Sequence, residues 1–317
     1  MPDGATVAGV MERPAESTVV AKITEPGVYD LSAEAYHRDP CDGPSLGSTG
    51  ARILASDCPA AFRYKADNPE VKEEFEIGSA THLLVLEPDI FESRIGRVPF
   101  ETYQKKDAQA ARDEFRAAGR IPLNLRQMEQ VEGMRASLAA DPIARFAFQE
   151  VDIERSMFWR DPEFGFWCKT RPDAFPRNRR YLVDLKTSAS SDPEDFRKSV
   201  ANFGYHQQSH WYLDGVEQVT GDRPDRFAFV VVGKSAPYLV MTCYLDPDTI
   251  AWGGVLNRYA RGLFRWCLDR NEWPSYKPDP VAPATAFTIG LPEWARRDLE
   301  RRHQEGAFIP PQERIAA

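Results

Sequence analysis

The sequence predicts a mixed α/β domain in which helices flank a central mixed sheet of about five strands. Three observations lead to this fold class. Apolar residues before residue 140 recur at helical spacing, segments between residues 151 and 245 carry the apolar runs and alternation of strands, and residues 247–270 return to a long helical pattern. Helices before, between and after strands are typical of one sheet packed against helices.

The first half of the chain is predicted to be mostly helical. Residues 1–25 carry no periodic apolar pattern, and we expect them to form a mobile arm. Short helices are expected over 29–66. Residues 75–92 place apolar side chains at helical spacing, and residues 107–139 are rich in Ala, Arg and Glu, which favours further helix.

The strands are predicted in the second half. Residues 151–175 alternate around a "DPEFG" turn and predict a β-hairpin, and "YLVDLKT" (181–187) predicts a third strand. A helical region over roughly 193–214 follows. The runs "RFAFVVVGK" and "YLVMTCYL" then predict two more strands around a turn, and residues 247–270 predict a long helix.

The domain organisation follows from these patterns. We expect one domain over 26–300, with a helical N-terminal part over 29–140 and a sheet core over 150–270. The Pro-rich end carries one short helical stretch, "LPEWARRDLERR". Residues 301–317 are expected to form a flexible tail.

Composition limits the classes of function. The 317 residues are 42% hydrophobic and 28% charged, as in ordinary soluble domains, and no apolar run is long enough to span a membrane. No signal-peptide pattern is present, and five scattered cysteines without a C-x-x-C favour a reducing cytoplasm. The net charge of −8 does not indicate nucleic-acid binding, so contact with a polyanion must come from local positive charge or from metal ions.

Asp184 and Lys186 lie inside an apolar strand, where unpaired charges are costly. Side chains alternate along a strand, so these two share one face while Val183 and Leu185 point to the other. Asp173 ends the preceding predicted strand, and pairing of the two strands would bring its carboxylate beside Asp184. Two adjacent carboxylates suit Mg²⁺, and a neighbouring ammonium can act on the attacking water. The alternative is a surface Asp–Lys pair worth about 0–1 kcal/mol.

Three further side chains are candidates for the same site. His82 follows the small residues "GSA", which let a ligand approach the helix closely; the alternative is a histidine satisfied by a backbone carbonyl. Gln208 and Tyr212 are four residues apart and therefore lie on one helix face, where they could contact a phosphate or a base edge. The alternative for this pair is an ordinary polar helix surface.

Two other motifs are rejected. His206 and His210 have a spacing that can bind zinc, but the segment lacks the glutamate of H-E-x-x-H and an obvious third ligand. "VVVGKS" resembles the end of a phosphate-binding loop, but Ala228 stands where the first glycine is required and a strand follows instead of a helix. We therefore expect neither zinc nor ATP at these segments.

Positive charges gather around the predicted hairpin and third strand. They are Lys169, Arg171, Arg177, Arg179 and Arg180. Such a cluster can hold a phosphate backbone despite the acidic total. The alternative is a set of solvated charges at a hairpin tip.

The candidate residues occur in a recognisable order, namely His82, Pro172-Asp173, Asp184-x-Lys186 and Gln208-x-x-x-Tyr212. In this order they resemble the RecB-like branch of the PD-(D/E)XK nuclease superfamily. The flanking segments are similar to the RecE-type nuclease domains of prophages, the exonuclease VIII type, over roughly Tyr29 to Arg297. These segments are "GSATHLLVLEPDIFE", "CKTRPDAFPRNRRYLVDLKT", "YHQQSHWYLDG" and "NEWPSYK…LPEWA".

The resemblance implies an α-β-β-β-α-β core of the restriction-endonuclease type, with a metal held at the sheet edge. Asp184 stands where many members of the superfamily have Glu, a change that the RecB-like branch tolerates. The metal ligands that it implies are His82, Asp173, Asp184 and the Leu185 carbonyl. The implied catalytic residues are Asp173 and Asp184, Lys186 acting on the attacking water, and Gln208 and Tyr212 beside the DNA strand.

The same resemblance implies a Mg²⁺-dependent exodeoxyribonuclease, with Mn²⁺ as a substitute and no ATP, that degrades linear double-stranded DNA from 5′ to 3′. It implies a role in phage-type recombination in the bacterial host cytoplasm, a single-strand annealing protein as partner and a homo-oligomeric ring around DNA. No iron–sulfur cluster is expected, because the cysteine spacing has no counterpart. The alternatives are an endonuclease of the same fold and a nuclease-fold protein that binds DNA or a partner without cutting. The intact motif argues against the last of these.

Overall fold

The structure is a computed structural model that describes residues 22–68, 73–177, 180–276 and 286–308. The chain divides into two compact units, with the boundary between Trp273 and Pro274. The first unit contains all predicted strands and the candidate site. None of the helices in the described ranges combines the length and the apolar content that crossing a bilayer requires.

Helices and strands alternate along the described chain. The helices are α1 (Ala33–His37), α2 (Ser48–Ser56), α3 (Pro59–Asp67), α4 (Glu73–Leu86), α5 (Pro88–Arg94), α6 (Lys106–Ala117), α7 (Leu125–Ala140), α8 (Pro142–Ala147), α9 (Pro193–Phe203), α10 (Tyr205–Thr220), α11 (Pro247–Arg270) and α12 (Glu293–Gln304). The strands are β1 (Gly27–Tyr29), β2 (Ser45–Gly47), β3 (Ile95–Arg97), β4 (Ile121–Leu123), β5 (Val151–Ile153), β6 (Ser156–Arg160), β7 (Trp167–Thr170), β8 (Ala174–Pro176), β9 (Tyr181–Ser188), β10 (Arg226–Gly233) and β11 (Val240–Tyr244).

The central sheet has five strands within the described residues, in the order β11-β10-β9-β8-β5. β10 runs parallel to β9 and the other neighbours pair antiparallel, so the predicted mixed sheet is confirmed. Every residue of β10 after Arg226 is buried, because helices cover both faces of the sheet. Asp184 lies opposite Phe229 in the β9–β10 register, in the interior of the sheet.

Alternating side chains of β9 enter two different cores. Val183 and Leu185 pack in one core together with residues of α4, α7 and α8. Leu182 packs in the other with residues of α9 and α10. Because side chains two residues apart share a face, Asp184 and Lys186 lie on the α9–α10 side. This alternation agrees with the sequence-based placement of the two charges on one face.

The predicted hairpin exists but belongs to a second sheet. β6 and β7 pair antiparallel and join β1 and β2 in a four-stranded sheet of the order β1-β6-β7-β2. The short strands β5 and β8 take the places expected for the hairpin in the central sheet. Glu154, with φ of 53°, ends the extended conformation after Ile153, and the chain then enters the other sheet. The hairpin prediction is therefore right in its pairing and wrong in its sheet.

Two predicted helical regions are interrupted. The region 107–139 contains α6 and α7 with β4 between them, and α7 begins with a capping box at Asn124. The region 193–214 contains α9 and α10, separated by Gly204 with φ of 66°. A glycine adopts this left-handed conformation without a Cβ clash, so the chain turns there and starts α10 beside β9. The long helix α11 has the bounds that the sequence predicts.

The predicted domain limits of 26–300 stay a prediction. Residues 1–21 of the predicted arm and residues 309–317 of the predicted tail lie outside the described residues. Ile23, inside the predicted arm, is buried and forms a parallel bridge with Cys41. In the second unit, α12 has no buried residue.

Helices α10 and α11 pack closely at a glycine. A Cβ on Gly253 would lie 2.1 Å from the backbone oxygen of His206. The same crossing contains a buried hydrogen bond, in which Asn257 Nδ2 donates to the Gln207 backbone oxygen over 2.9 Å. Because α10 also carries Gln208, this packing sets the position of one wall of the candidate site.

Gly253→Ala is expected to lower the free energy of unfolding by ~3 kcal/mol, because the new Cβ meets backbone atoms and the two helices must separate. Gly254→Ala is the matched control. Its Cβ would lie 2.5 Å from the His210 ring, which can rotate away, and alanine favours a helix by up to about 1 kcal/mol over glycine. Urea unfolding of both variants measures the difference. Equal stabilities would contradict the close packing at Gly253.

Candidate active site

The predicted site residues come together where β9 faces the first turns of α10. Three come from β9, two from α10, one from the residue before β8 and one from α4. They are Asp184, Leu185 and Lys186, then Gln208 and Tyr212, then Asp173, then His82. Antiparallel pairing of Ala174 with Val183 places Asp173 beside Asp184 at the edge of the β8–β9 ladder.

Asp184 is the most buried charged group of the site, with 2% of its surface exposed. Gln208 Nε2 donates to its Oδ1 over 2.5 Å. Its Oδ2 lies 2.5 Å from Lys186 Nζ, in a close ion pair. One oxygen of this buried carboxylate thus faces an amide and the other an ammonium, and both contacts offset part of the cost of burying its charge.

Asp173 contacts β9 at Leu185 and lies close to His82. The Leu185 backbone N–H donates to Asp173 Oδ2 over 2.7 Å, and His82 Nδ1 lies 3.5 Å from that oxygen. Burial raises the pKa of Asp173 well above its ordinary value, and the negative charges of Asp184 and Glu154 raise it further. Each carboxylate thus makes ionisation of the other less favourable, and a cation between them would relieve this effect.

His82 is neutral at neutral pH. Burial lowers the pKa of its ring to about 4, although 29% of the side chain remains exposed, and Lys186 lowers it further against the opposing effect of Asp184. A hydrogen bond with the Leu185 backbone raises this pKa, as Asp184 does, but burial outweighs both. A neutral imidazole has a lone pair and can bind a metal, whereas an imidazolium cannot.

Lys186 stays protonated in this structure. Burial lowers the pKa of its amine, but Asp184 and Asp173 together outweigh burial and raise the pKa above its ordinary value. The ammonium also lies 4.8 Å from the centre of the Tyr205 ring and 5.9 Å from that of Phe229, distances typical of cation–π contacts. The positive charge is thus held beside Asp184 by electrostatic attraction and by two aromatic rings.

Tyr212 contacts Gln208, the residue whose amide binds Asp184. Burial raises the pKa of its hydroxyl well above the ordinary value, and the charges of Asp184 and Asp173 add to the rise. A hydrogen bond with Gln208 opposes it. The ring packs 5.7 Å from Phe227 in an edge-to-face contact. A protonated hydroxyl that contacts Gln208 orients the amide that binds Asp184.

The comparisons with known proteins agree with this fold. A family model described as a PDDEXK-like domain of unknown function, DUF3799, matches residues 53–277, more than half of the chain. The chain belongs to this family. The RecB-like PD-(D/E)XK resemblance of the sequence is therefore confirmed at the level of the PD-(D/E)XK fold, and the restriction-endonuclease-like class of core is confirmed with it. A search among curated proteins finds no match.

A solved structure shows the same fold as this PDDEXK-like domain. A candidate exonuclease from Eubacterium rectale is 14% identical, covers 85% of this chain and 98% of its own, and superposes with a TM-score of 0.57. An alkaline exonuclease from Laribacter hongkongensis is 16% identical, covers 58% of this chain and 97% of its own, and has a TM-score of 0.25. At these identities the likeness to the first structure concerns the fold alone.

The donor set of the PDDEXK-like domain fits a hard divalent cation. Asp173 and Asp184 offer carboxylate oxygens, and His82 offers a neutral nitrogen. In the part of the chain that the structure describes, no three His, Cys, Asp or Glu side chains already form a metal cluster. The ligand set of His82, Asp173, Asp184 and the Leu185 carbonyl therefore stays a prediction.

The cation cluster of the sequence analysis is mostly neutralised within the domain. Lys169 contacts Asp39 and donates to the Tyr36 backbone oxygen, and Arg171 pairs with Glu154. The remaining described pairs are Arg177 with Asp152 at 3.8 Å and Arg180 with Asp225 at 2.9 Å. Arg179 lies outside the described residues. Because their carboxylate partners come from distant segments, the sequence alone did not reveal these pairs.

The sequence analysis missed one residue that contacts the site and one whose charge acts on it. Tyr205 lies under the Lys186 ammonium, and Glu154 raises the pKa of Asp173. Tyr205 precedes Gln208 by three residues and therefore shares its helix face, a spacing that could have identified it. Glu154 had no such signal, because its position depends on the change of sheet after Ile153.

The rejected motifs have ordinary structural roles. His206 Nδ1 lies 3.2 Å from the Val200 backbone oxygen, and the His210 ring lies against Gly254 of α11. The "VVVGKS" segment ends β10 and continues through a turn into β11, so a strand follows it as the sequence predicts. The candidate site therefore takes Gln208 from the first segment, but neither of the two histidines and no residue of the second segment.

Proposed function

We propose that this PDDEXK-like domain is a metal-dependent deoxyribonuclease that hydrolyses phosphodiester bonds at the site of Asp173, Asp184 and Lys186. The observation that carries the proposal is the meeting of two buried carboxylates and one ammonium: Lys186 Nζ lies 2.5 Å from Asp184 Oδ2, and the charge of Asp184 raises the pKa of Asp173. A structural ion pair has no need of a second buried carboxylate with a raised pKa. A site that binds a cation and a phosphate has a use for each of these groups.

Each residue has a defined task in this proposal. A divalent ion, for which His82, Asp173, Asp184 and the Leu185 carbonyl are the proposed ligands, supplies Lewis-acid stabilisation of the phosphate charge and a lower pKa for the attacking water. The Lys186 ammonium stabilises the negative charge that develops on the phosphate. Gln208 holds Asp184 in place by a hydrogen bond, and Tyr212 orients Gln208.

We further propose that the enzyme is an exonuclease on linear double-stranded DNA, with Mg²⁺ as the ion and Mn²⁺ as a substitute. The resemblance to RecE-type domains supports this, as it supports 5′→3′ polarity, independence of ATP and a role in phage-type recombination. It also supports a ring-shaped homo-oligomer, an annealing protein as partner and a place in the bacterial cytoplasm. The absence of an iron–sulfur cluster is proposed because the cysteine spacing has no counterpart in the relatives that bind one. The Eubacterium rectale structure bears the name of a candidate exonuclease, which is a reason to test exonuclease before endonuclease activity.

Incubation with linear and with covalently closed circular DNA tests the proposal. We expect release of nucleotides from linear duplex in Mg²⁺ or Mn²⁺, and no release in EDTA. Labels at either the 5′ or the 3′ end report the polarity. Nicked circles would instead support an endonuclease. Intact DNA under every divalent ion would support the non-cleaving alternative, which the lack of a ready three-residue metal cluster in the described residues favours.

A further inference from the structure

A short series of aromatic rings leads from the candidate site to the surface. The Tyr205 ring lies 5.4 Å from Phe229 and 5.7 Å from Phe203, measured between ring centres. Phe229 is fully buried, whereas Phe203 is 57% exposed. Since the Lys186 ammonium lies 4.8 Å from the Tyr205 ring, a single aromatic side chain separates the catalytic amine from an exposed phenylalanine.

The position of Phe203 follows from the bend between α9 and α10. Phe203 is the last residue of α9, and Gly204, with φ of 66°, turns the chain into α10. Among the described aromatic residues its ring contacts Tyr205 alone, and it is not part of the buried cores. A phenylalanine held at a fixed bend, with one face on a tyrosine and much of its surface in water, is arranged to stack on an incoming planar group.

A cation lies at the same bend. The Cδ atom of Arg52, on α2, would be 2.6 Å from a Cβ on Gly204, so the arginine stem lies against the glycine. Burial raises the pKa of the Tyr205 hydroxyl, and the charges of Lys186 and Arg52 oppose this rise. Within the described ranges the Arg52 guanidinium has neither a carboxylate partner nor a hydrogen-bond acceptor. It differs in this respect from the paired cations around β7 and β9.

We propose that Phe203 and Arg52 form a nucleotide subsite, in which Phe203 stacks on a base of the strand being cut and Arg52 pairs with a neighbouring phosphate. The inference rests on the proposed nuclease function and names a part of the substrate that the site recognises. Nucleic acid supplies both complementary groups at once, a planar base and an anionic phosphate. Aromatic stacking accepts any base, so the subsite binds a strand without reading its sequence.

Binding in EDTA tests the subsite independently of cleavage. Fluorescence anisotropy gives the affinity of the full chain for short duplexes, in which each of the last three nucleotides of either strand is replaced in turn by an abasic analogue. Wild type is expected to lose roughly tenfold in affinity when the base that stacks on Phe203 is absent. Phe203→Ala should bind intact DNA roughly tenfold more weakly than wild type does. The abasic replacement should not weaken the binding of this variant further. Such a non-additive pair is a direct sign of contact.

Two further Phe203 variants separate stacking from apolar contact. Phe203→Trp is expected to keep the wild-type affinity and the abasic effect, because its ring also stacks. Phe203→Leu should behave like Phe203→Ala, although it keeps most of the apolar surface. Arg52→Gln should weaken binding for all sequences and reduce the slope of log affinity against log salt by about 1.

The chain offers matched controls at the opposite end of β9. Phe146 is 63% exposed and stacks on Tyr181, the first residue of β9. Its neighbour Arg145 also has no side-chain partner among the described residues. Phe146→Ala and Arg145→Gln are expected to retain the wild-type affinity, the wild-type salt slope and the full abasic effect.

The outcomes distinguish this inference from the proposed function. If wild type cuts DNA while Phe203→Ala keeps the full abasic effect at every position, the subsite is wrong and the nuclease stands. If wild type does not cut DNA, and the effects of Phe203→Ala and of one abasic replacement still prove coupled, the subsite stands and the nuclease assignment is wrong. If wild type neither binds DNA in EDTA nor cuts it in Mg²⁺ or Mn²⁺, both are wrong.

Discussion

Asp184→Asn is expected to reduce cleavage of linear DNA at least about a thousandfold, because a bound ion contributes several kcal/mol to the transition state and each 1.36 kcal/mol is a factor of ten. Asparagine keeps the shape of the side chain, and its oxygen still accepts the hydrogen bond that Gln208 donates to Asp184. What disappears is the negative charge of the buried carboxylate that faces Lys186. We therefore expect Asp184→Asn to lose the initial rate in Mg²⁺ and to keep the DNA affinity in EDTA.

Asp161→Asn is the matched control for this variant. Asp161 and Asp184 are equally buried, each with 2% of its surface exposed. Asp161 Oδ2 lies 3.3 Å from Arg261, and Asp161 Oδ1 accepts hydrogen bonds from two backbone N–H groups in the turn after β6. Its substitution is expected to cost about 2 kcal/mol of stability and to leave the rate per folded molecule unchanged. A wild-type rate for Asp184→Asn, or an equal loss of rate in both variants, would remove Asp184 from the proposed chemistry.

Local patterns predicted the elements of this fold better than their assembly. The apolar run of "YLVDLKT" and the helical periodicity of 247–270 each correspond to one element of the structure, β9 and α11. The break at Gly204 and the exit from the central sheet at Glu154 escaped prediction. Both depend on a positive φ, at a glycine within a helical pattern and at a glutamate within a strand pattern. Periodicity reports which face of an element is buried and does not report which sheet or helix it joins.

The candidate site was more predictable than the surface around it. Asp173, Asp184 and Lys186 carry charges in or beside apolar strands, which is a signal that sequence alone contains. Their proximity follows from the pairing of β8 with β9. The pairing of the cations around β7 and β9 was not predictable, because Asp152 and Asp225 bind two of them from distant segments. Local sequence shows where charges are placed along the chain, and only the fold shows which of them remain unpaired.

Lys186→Met is expected to reduce the cleavage rate by about a hundredfold to a thousandfold, the usual effect of removing one group that stabilises transition-state charge. Methionine has a similar length, and its thioether packs well against rings such as Tyr205 and Phe229. Asp184 and Asp173 raise the pKa of the Lys186 amine. Lysine therefore carries a positive charge at neutral pH, and methionine does not. The rate should fall at saturating DNA, while the affinity for DNA in EDTA changes little.

Lys169→Met controls for the loss of a buried ammonium. Lys169 is 13% exposed against 18% for Lys186, and its Nζ lies 3.5 Å from Asp39 and 5.1 Å from the centre of the Tyr36 ring. The two lysines thus have the same kinds of neighbours, an aspartate and an aromatic ring, and both variants leave a carboxylate without its cation. Comparable losses of stability are expected in urea unfolding, but only Lys186→Met should lose rate per folded molecule. If Lys169→Met loses as much, the effect belongs to folding, and Lys186 has no special part in hydrolysis.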